Sequence, residues 1–295
     1  TGSSSGWTGV GNPFPSYIPL NTADNFISTN ANALDDTAEA GYIWDAATAA
    51  YIPISNASPT RYIAPGQGFL VKSDADGGTV SVTENMQSHQ ANGTFSKTQD
   101  TTPRITISLS DGKNLRKTNI AYLENATKGL DPSYDARVFD NYEFDIYTQF
   151  VENTLQTNLN IQALPNNDYQ KMMVPLGINA EANTEISLSI QSENLPDGMM
   201  VFLEDKEQNT FTRMDTGNTY STTNKSNGVG RFYVHTTSTS LATEGLNVNN
   251  VSIYSANATI YFNGFPKGYD LKKMKHQRQS VSLEQIYKVA DWVRS

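Results

Sequence analysis

The stretch Arg104-Ile105-Thr106-Ile107-Ser108-Leu109-Ser110-Asp111-Gly112 places an aliphatic residue at every second position and closes on an Asp-Gly pair. Residues that alternate in this way point to opposite faces of a β-strand, so the stretch predicts a strand with one buried face. Asp-Gly tolerates the positive backbone angles of a tight turn, which would return the chain towards Ile120-Ala121-Tyr122-Leu123. The sequence therefore predicts a β-hairpin near the middle of the chain.

The same signals recur along most of the chain. Glu185–Ile190 alternates most regularly, and many other short strand-like runs follow one another at spacings of roughly ten residues. No segments of helical periodicity alternate with these runs, which argues against a parallel α/β fold. We therefore predict an all-β protein built as an antiparallel β-sandwich or jelly roll.

Three other segments carry specific structural expectations. Gly6–Tyr17, with three glycines, two prolines and three aromatic residues, predicts a rigid segment at the first edge of a sandwich that closes near Phe232–Val234. The polar and acidic residues of Asn21–Ala40 predict a loop, and the alternation in Thr79–Thr83 predicts a half-buried strand.

Changes in composition predict three regions. A polar lapse before Pro103 separates an N-terminal β-sandwich region, residues 1–97, from a second one, residues 98–240. Residues 241–295 form the third region, because a Ser/Thr-rich linker precedes them and their last part is basic. The first six residues resemble a linker, so we expect the chain to be a piece of a longer protein.

The third region is expected to contain a short hairpin and one amphipathic helix. Val251–Tyr254 and Ala258–Phe262 are apolar and β-branched runs separated by a few small residues. Further on, Ser282 and Gln285 resemble a helix capping box, and apolar residues then recur at helical spacing.

Charge and composition limit the classes of function. The net charge is −9 and the pI is near 4.8, which argues against nonspecific binding of nucleic acid, because that needs a basic surface. The chain has no cysteine, which excludes disulfides, thiolate zinc sites and cysteine nucleophiles. No apolar run approaches about eighteen residues, so the sequence predicts no membrane-spanning helix.

No catalytic constellation is visible in the sequence. His89, His235 and His276 lie far apart without metal-binding spacing, and the nucleophile motif G-x-S-x-G is missing. We therefore predict a noncatalytic protein.

Two acidic loops make calcium the candidate cofactor. Asp74 and Asp76 alternate just before two glycines, and Asp131 and Asp135 lie on either side of a second turn-like segment. Carboxylate oxygens are ligands that Ca²⁺ prefers, and glycine lets a loop wrap around the ion. Neither loop has the full ligand set of an EF-hand, so a plain turn is the alternative.

Four aromatic residues form the candidate ligand-binding site: Tyr42, Trp44, Tyr51 and Tyr62. They belong to short strand-like runs near the N-terminus. Exposed aromatic rings can stack on sugar rings, which would make a carbohydrate platform. Packing in the core is the alternative, because aromatic residues at strand spacing carry large apolar areas.

Several segments resemble, in the same order, a β-rich region of large surface proteins that Bacteroidetes export through the type IX (Por) secretion system. That family has a "GWNLVGNPFPS"-like segment, a "YVWD" strand and an "IAPGQGFFVKA" segment. The counterparts here are Gly6–Ser16, Tyr42-Ile43-Trp44-Asp45 and Ile63–Lys72. The likeness continues through Gly129–Ala136 to Phe232 and covers residues 6–236.

The resemblance implies a place in a longer protein. These regions usually precede a C-terminal sorting domain, and Val251–Gly268 looks like the beginning of one. The likeness ends after Tyr269, where the chain continues with a lysine-rich segment and the expected helix. The family's secretion machinery would then be a partner of the C-terminal region.

Two functions follow as expectations. The first is a noncatalytic extracellular module of a type IX-secreted surface protein, acting in adhesion or interaction or as a stalk next to the sorting signal. The alternative is a carbohydrate-binding accessory region of a secreted polysaccharide-degrading enzyme. Both place the chain outside the cell or on the outer-membrane surface, with glycans or surface proteins as candidate partners and no nucleic acid.

Overall fold

A computed structural model describes residues 6–22, 24–89, 100–152, 155–169 and 172–238, together with the backbone of 252–256 and 259–263. The chain divides into two units, Thr1–Leu241 and Ala242–Ser295. The predicted boundary at residue 97 falls in the segment 90–99, outside the described residues, and stays a prediction. The predicted C-terminal helix also lies outside them.

The described residues form an all-β protein, as predicted. Its strands are β1 (Trp7–Gly11), β2 (Ile18–Pro19), β3 (Gly41–Asp45), β4 (Ala50–Ile54), β5 (Tyr62–Ile63), β6 (Gly68–Lys72), β7 (Arg104–Ser110), β8 (Leu115–Leu123), β9 (Ala136–Arg137), β10 (Asp145–Thr148), β11 (Leu159–Pro165), β12 (Met173–Asn179), β13 (Glu185–Glu193), β14 (Met200–Asp205), β15 (Thr210–Arg213), β16 (Thr219–Thr223), β17 (Gly228–Thr237), β18 (Ser252–Ala256) and β19 (Thr259–Asn263). A five-residue helix, α1 (Phe26–Asn30), and two 3₁₀ turns, Ala31–Ala33 and Glu84–Met86, complete the described elements.

The first unit contains two main sheets. A four-stranded sheet has the order β1-β6-β3-β4, and an eleven-stranded sheet has the order β15-β14-β17-β12-β10-β11-β8-β7-β13-β16 with β9 beside β11. A short ribbon of β2 and β5 accompanies the smaller sheet. In the second unit, β18 and β19 pair antiparallel, which matches the predicted hairpin.

The hairpin predicted from Arg104–Gly112 is β7 and β8, which pair antiparallel with Ile105 opposite Ile120. The turn works through Asp111, whose Oδ1 accepts hydrogen bonds from the backbone N–H groups of Lys113 and Asn114, at 2.9 and 2.6 Å. Gly112 takes a φ of +85°, which explains the glycine.

The large sheet folds around one core. Alternate residues of β7 and β13, among them Ile107 and Leu188, share this core with residues of β12, β14 and β17, among them Val174 and Val234. These strands lie far apart in the sheet order, so the sheet curls until its two halves face each other. The arrangement is that of a β-sandwich.

One strand pair departs from the antiparallel prediction. Strands β8 and β11 run parallel, with Ala121 opposite Ala163. A parallel pair needs a long crossover, and the intervening chain supplies it by first forming β9 and β10. Alternation within one strand carries no information about the direction of its neighbour.

The central strands β8 and β11 are buried on both faces. Ile120 and Tyr122 point into the sandwich core, whereas Ala121 points to the opposite face. There Ala121 and Ala163 pack against aromatic and aliphatic side chains of the four-stranded sheet, including Tyr42. The small alanines leave room for the bulky residues of the other layer.

The opening segment behaves only partly as predicted. Strand β1 is an edge of the four-stranded sheet and pairs with β6, Trp7 opposite Lys72. Phe232–Val234, however, belongs to β17, which lies between β12 and β14 inside the large sheet. The predicted closure of the first edge by this segment is therefore wrong, because each segment hydrogen-bonds within its own sheet.

The stretch Asn21–Ala40, predicted to be a loop, contains α1 and a 3₁₀ turn. Asn25 caps the helix by accepting a hydrogen bond from the Ser28 N–H at 2.7 Å, and Phe26 and Ile27 are buried. The helix is too short for its periodicity to show in the sequence.

Thr79–Thr83, predicted to be a strand from its alternation, pairs with no strand among the described residues. Asn30 explains the difference, because its side chain accepts a hydrogen bond from Ser81 N at 2.7 Å and donates one to Ser81 O at 3.0 Å. Val80 and Val82 still pack against a core cluster. A side chain thus satisfies backbone groups that a neighbouring strand would otherwise pair.

Gly177 offers a test of the packing between β10 and β12. It lies opposite Tyr147, and a Cβ on Gly177 would approach Tyr147 Cε2 to 2.1 Å. Gly177→Ala should therefore lower the free energy of unfolding by roughly 1–3 kcal/mol, measured by urea denaturation. Gly11→Ala is the matched control, since a Cβ there meets nothing within 4 Å, and equal losses in the two variants would contradict this packing.

Candidate functional site

Tyr42, one of the four predicted ligand-binding residues, belongs to the core. Its side chain is 0% exposed, its hydroxyl donates a hydrogen bond to Arg137 O at 3.0 Å, and its ring meets Trp7 edge to face at 4.7 Å. Burial raises the pKa of the Tyr42 hydroxyl above its usual value. The Tyr42 ring is therefore packed in the core, which was the alternative to its role in a carbohydrate platform.

Trp44 and Tyr51 are brought together as a cross-strand pair. They lie opposite each other in β3 and β4, and their ring centroids are 5.3 Å apart in an edge-to-face arrangement. Trp44 is 54% exposed, while Tyr51 is half-buried and packs on Phe139 at 4.7 Å. This pair contains the most exposed of the four predicted residues, Trp44.

Tyr62 lies in a different place. It is half-buried in β5, opposite Pro19 of β2, in the ribbon beside the smaller sheet. The structure thus groups Trp44 with Tyr51 and puts Tyr42 beneath the surface and Tyr62 on another element.

A cleft of about 320 Å³ lies where β4 faces the large sheet. Tyr51 and other residues of β4 line one side, and residues of β8, including Arg116 and Lys117, line the other. Asp45, the neighbour of Trp44 in the chain, also lines it. The exposed aromatic pair therefore adjoins a cleft whose lining combines apolar and aromatic side chains with several polar ones, the usual makeup of a small-molecule site.

Arg116 is held at the cleft by two contacts. Its Nη1 donates a hydrogen bond to Thr48 O, and its guanidinium lies over the Tyr142 ring at 4.8 Å from the centroid. Its Nε is buried, and in the described part of the chain this atom has no hydrogen-bond partner. The charge of Arg116 is thus positioned by an aromatic face and a carbonyl.

Asp145 lies on the same side of the cleft and is only 4% exposed. Burial raises the pKa of this carboxyl to about 7, while the charge of Arg116 acts in the opposite direction. Its Oδ1 accepts a hydrogen bond from Ile146 N at 3.0 Å. Asp145 therefore changes protonation near neutral pH.

The sequence does not single out Arg116, Tyr142 or Asp145. Arg116 comes from a different segment of the chain than Tyr142 and Asp145, and each follows an ordinary strand or turn pattern. The sole local signal is the aromatic content of β3 and β4. Residues that meet only through the pairing of strands in the folded sheet leave no spacing to detect.

The first acidic loop is a turn in which Asp74 caps its own backbone. Its Oδ1 accepts a hydrogen bond from Ala75 N at 2.7 Å, and its carbonyl accepts one from Gly77 N at 3.0 Å. Asp74 and Asp76 are both exposed. These contacts are the ones expected of the plain turn.

The carboxylates of the second acidic loop hold backbone groups. Asp135 is fully buried and accepts hydrogen bonds from Asp131 N and Ala163 N, each at 2.7 Å. Asp131 in turn accepts one from Thr127 N at 2.6 Å. Burial raises the pKa of Asp135 to about 7. This network connects the loop to β11.

Calcium at either loop stays a prediction. Within the described ranges, no group of three or more His, Cys, Asp or Glu residues is arranged to hold a metal ion. Among the same residues, no helix is long and apolar enough to cross a membrane.

Asp145→Asn should change how stability depends on pH. The pKa of Asp145 in the folded state, near 7, lies above the ordinary value of 3.8. Asp145 therefore contributes stability that is fully present below about pH 4 and is lost as the pH rises through 7. Asparagine cannot ionise and can still accept from Ile146 N. In urea denaturation, the free energy of unfolding of the variant minus that of wild type should therefore be larger at pH 8 than at pH 5.

Asp76→Asn is the control, because it removes the same charge from an exposed position. Its free energy of unfolding should change between pH 5 and pH 8 about as much as that of wild type. An unchanged pH dependence in Asp145→Asn would contradict the assignment.

Comparison with known proteins gives a family and no described activity. Neither the curated proteins nor the solved structures contain a match to this chain. A family model, described as a domain of unknown function (DUF8693), matches residues 45–235, which is more than half of the chain and runs from the end of β3 through most of β17. The chain therefore belongs to the DUF8693 family.

Proposed function

We propose that this chain is a noncatalytic extracellular module of a surface protein exported by the type IX secretion system, acting in interaction or adhesion next to a sorting region. The observation that carries the proposal is the position of the three segments that resemble type IX cargo. They contain β1, β3 and β6, and β6 pairs with both β1 and β3. Segments separated in sequence thus share one sheet, which supports their kinship as one structural unit.

The proposal gives the C-terminal region a role in export. Residues 251–268 resemble the start of a sorting domain, and the secretion machinery is the partner of that region. The protein would then reside at the outer surface of the cell or outside it, where calcium is available as a ligand for acidic loops.

Deletion of residues 240–295 from the full-length protein that carries this chain tests the export proposal. The deletion should strongly reduce the amount of protein at the cell surface, because the machinery would lose its recognition signal. Surface labelling and cell fractionation provide the measurement. A deletion of similar length outside this region is the control, and unchanged surface delivery of the 240–295 deletion would contradict the proposal.

The second candidate function is carbohydrate binding by an accessory region of a polysaccharide-degrading enzyme. It is favoured by the exposure of Trp44 and its contact with Tyr51 at 5.3 Å beside the cleft. Stacking of a sugar ring on an exposed tryptophan covers apolar area on both partners. A large exposed aromatic at a polar cleft suits this type of ligand.

Trp44→Ala tests the carbohydrate candidate. Loss of the stacking surface should weaken binding to a retained glycan about tenfold, as measured by affinity electrophoresis or a glycan array. The side chain is exposed, so the melting temperature should stay close to that of wild type.

Tyr134→Ala is the control, because Tyr134 is also an exposed aromatic residue, 43% accessible, but is not part of the Trp44–Tyr51 ring pair. If Trp44→Ala binds the glycan as tightly as wild type does, Trp44 is not part of a carbohydrate-binding platform.

A further inference from the structure

We propose that the cleft between β4 and β8 binds an uncharged saccharide, which its polar side chains hold by the hydroxyl groups while Tyr51 and Trp44 contact a sugar ring. The inference rests on the carbohydrate candidate above and adds the location and the chemical class of the ligand. It uses the side of the cleft that belongs to the large sheet, which the sequence did not reveal.

The size of the cleft suits a small polar ligand. Its volume of about 320 Å³ is at the lower end of the range for small-molecule sites, which is roughly 300–1,000 Å³. One or two sugar rings fit such a space better than a folded segment of another protein. The cleft also lies within the span of the family model, which begins at Asp45.

The side chains that line the cleft include both basic and acidic groups. The basic residues are Arg104, Arg116 and Lys117, and the acidic residues are Asp45, Asp145 and Glu193. The whole protein, in contrast, carries a net charge of −9. A charged ligand would meet a like charge at this site, whereas a neutral ligand would not.

Hydroxyl groups match this mixture because each one both donates and accepts a hydrogen bond. Lys117 and Arg116 can only donate, and Glu193 and Asp45 can only accept when ionised. A neutral sugar presents several hydroxyls around an apolar ring face, so it satisfies both kinds of side chain and the aromatic wall together.

Two of these side chains have donors to offer. Within the described part of the chain, the side chain of Arg116 makes one hydrogen bond, from Nη1 to Thr48 O. Lys117 is exposed, and among the described residues no carboxylate lies within 4.0 Å of its ammonium group. These donors face the cleft without a competing ion pair.

The experiment compares Lys117→Ala with Glu193→Ala on arrays of neutral and uronate-bearing oligosaccharides. A neutral ligand uses both a donor and an acceptor, so each variant should weaken its binding about three- to tenfold. A uronate ligand would give opposite signs, because removing Glu193 relieves repulsion and strengthens binding. Opposite signs would overturn the proposal.

Lys113→Ala and Glu185→Ala are the matched controls. Lys113 is exposed in the β7–β8 turn, Glu185 is exposed at the far end of the strand that contains Glu193, and neither lines the cleft. Both controls should bind like wild type, and all four variants should keep the wild-type melting temperature because the replaced side chains are exposed.

The outcomes separate this inference from the functions it builds on. If wild type binds a neutral glycan and neither Lys117→Ala nor Glu193→Ala changes that binding, the cleft is not the binding site. The carbohydrate candidate would then still stand. Failure of wild type to retain any glycan would overturn the cleft and the carbohydrate candidate together, and the export proposal would still be decided by the deletion of residues 240–295.

Discussion

The packing of bulky side chains on alanines is the contact on which the rest of the first unit depends. Ala121 and Ala163 form the outer face of the central strands β8 and β11, and Tyr42 of the four-stranded sheet lies against them. Small residues on one layer allow large ones on the other to approach closely and exclude water. The same strands face the sandwich core on their other side, so this contact links two cores through one pair of strands.

Two carboxylates buried at this junction accept hydrogen bonds from the chain itself. Asp135 holds the backbone of Asp131 and Ala163, and Glu39 accepts a hydrogen bond from the Ser133 hydroxyl. Burial raises the pKa of the Asp135 and Glu39 carboxyls, because the charged form loses its hydration. Residues of both sheets also line the cleft beside Tyr51.

The candidate site draws on both sheets. Trp44 and Tyr51 come from β3 and β4 of the four-stranded sheet, whereas Arg116 and Asp145 come from β8 and β10 of the large sheet. Binding at the cleft would therefore depend on the junction between the sheets as well as on the residues that touch the ligand. A module that interacts through such a cleft needs no catalytic group, which is consistent with the noncatalytic role we propose.

The sequence by itself determined the all-β class, the β7–β8 hairpin and the aromatic content of β3 and β4, because alternation, turn chemistry and composition are local. The tertiary structure alone decided the parallel pairing of β8 with β11, the burial of Tyr42 next to the exposure of Trp44, and the meeting of Arg116 with Asp145. Alternation shows that one face of a strand is buried but not which layer covers it. Residues distant in the chain line a common site only when the strands pair and the sheets pack.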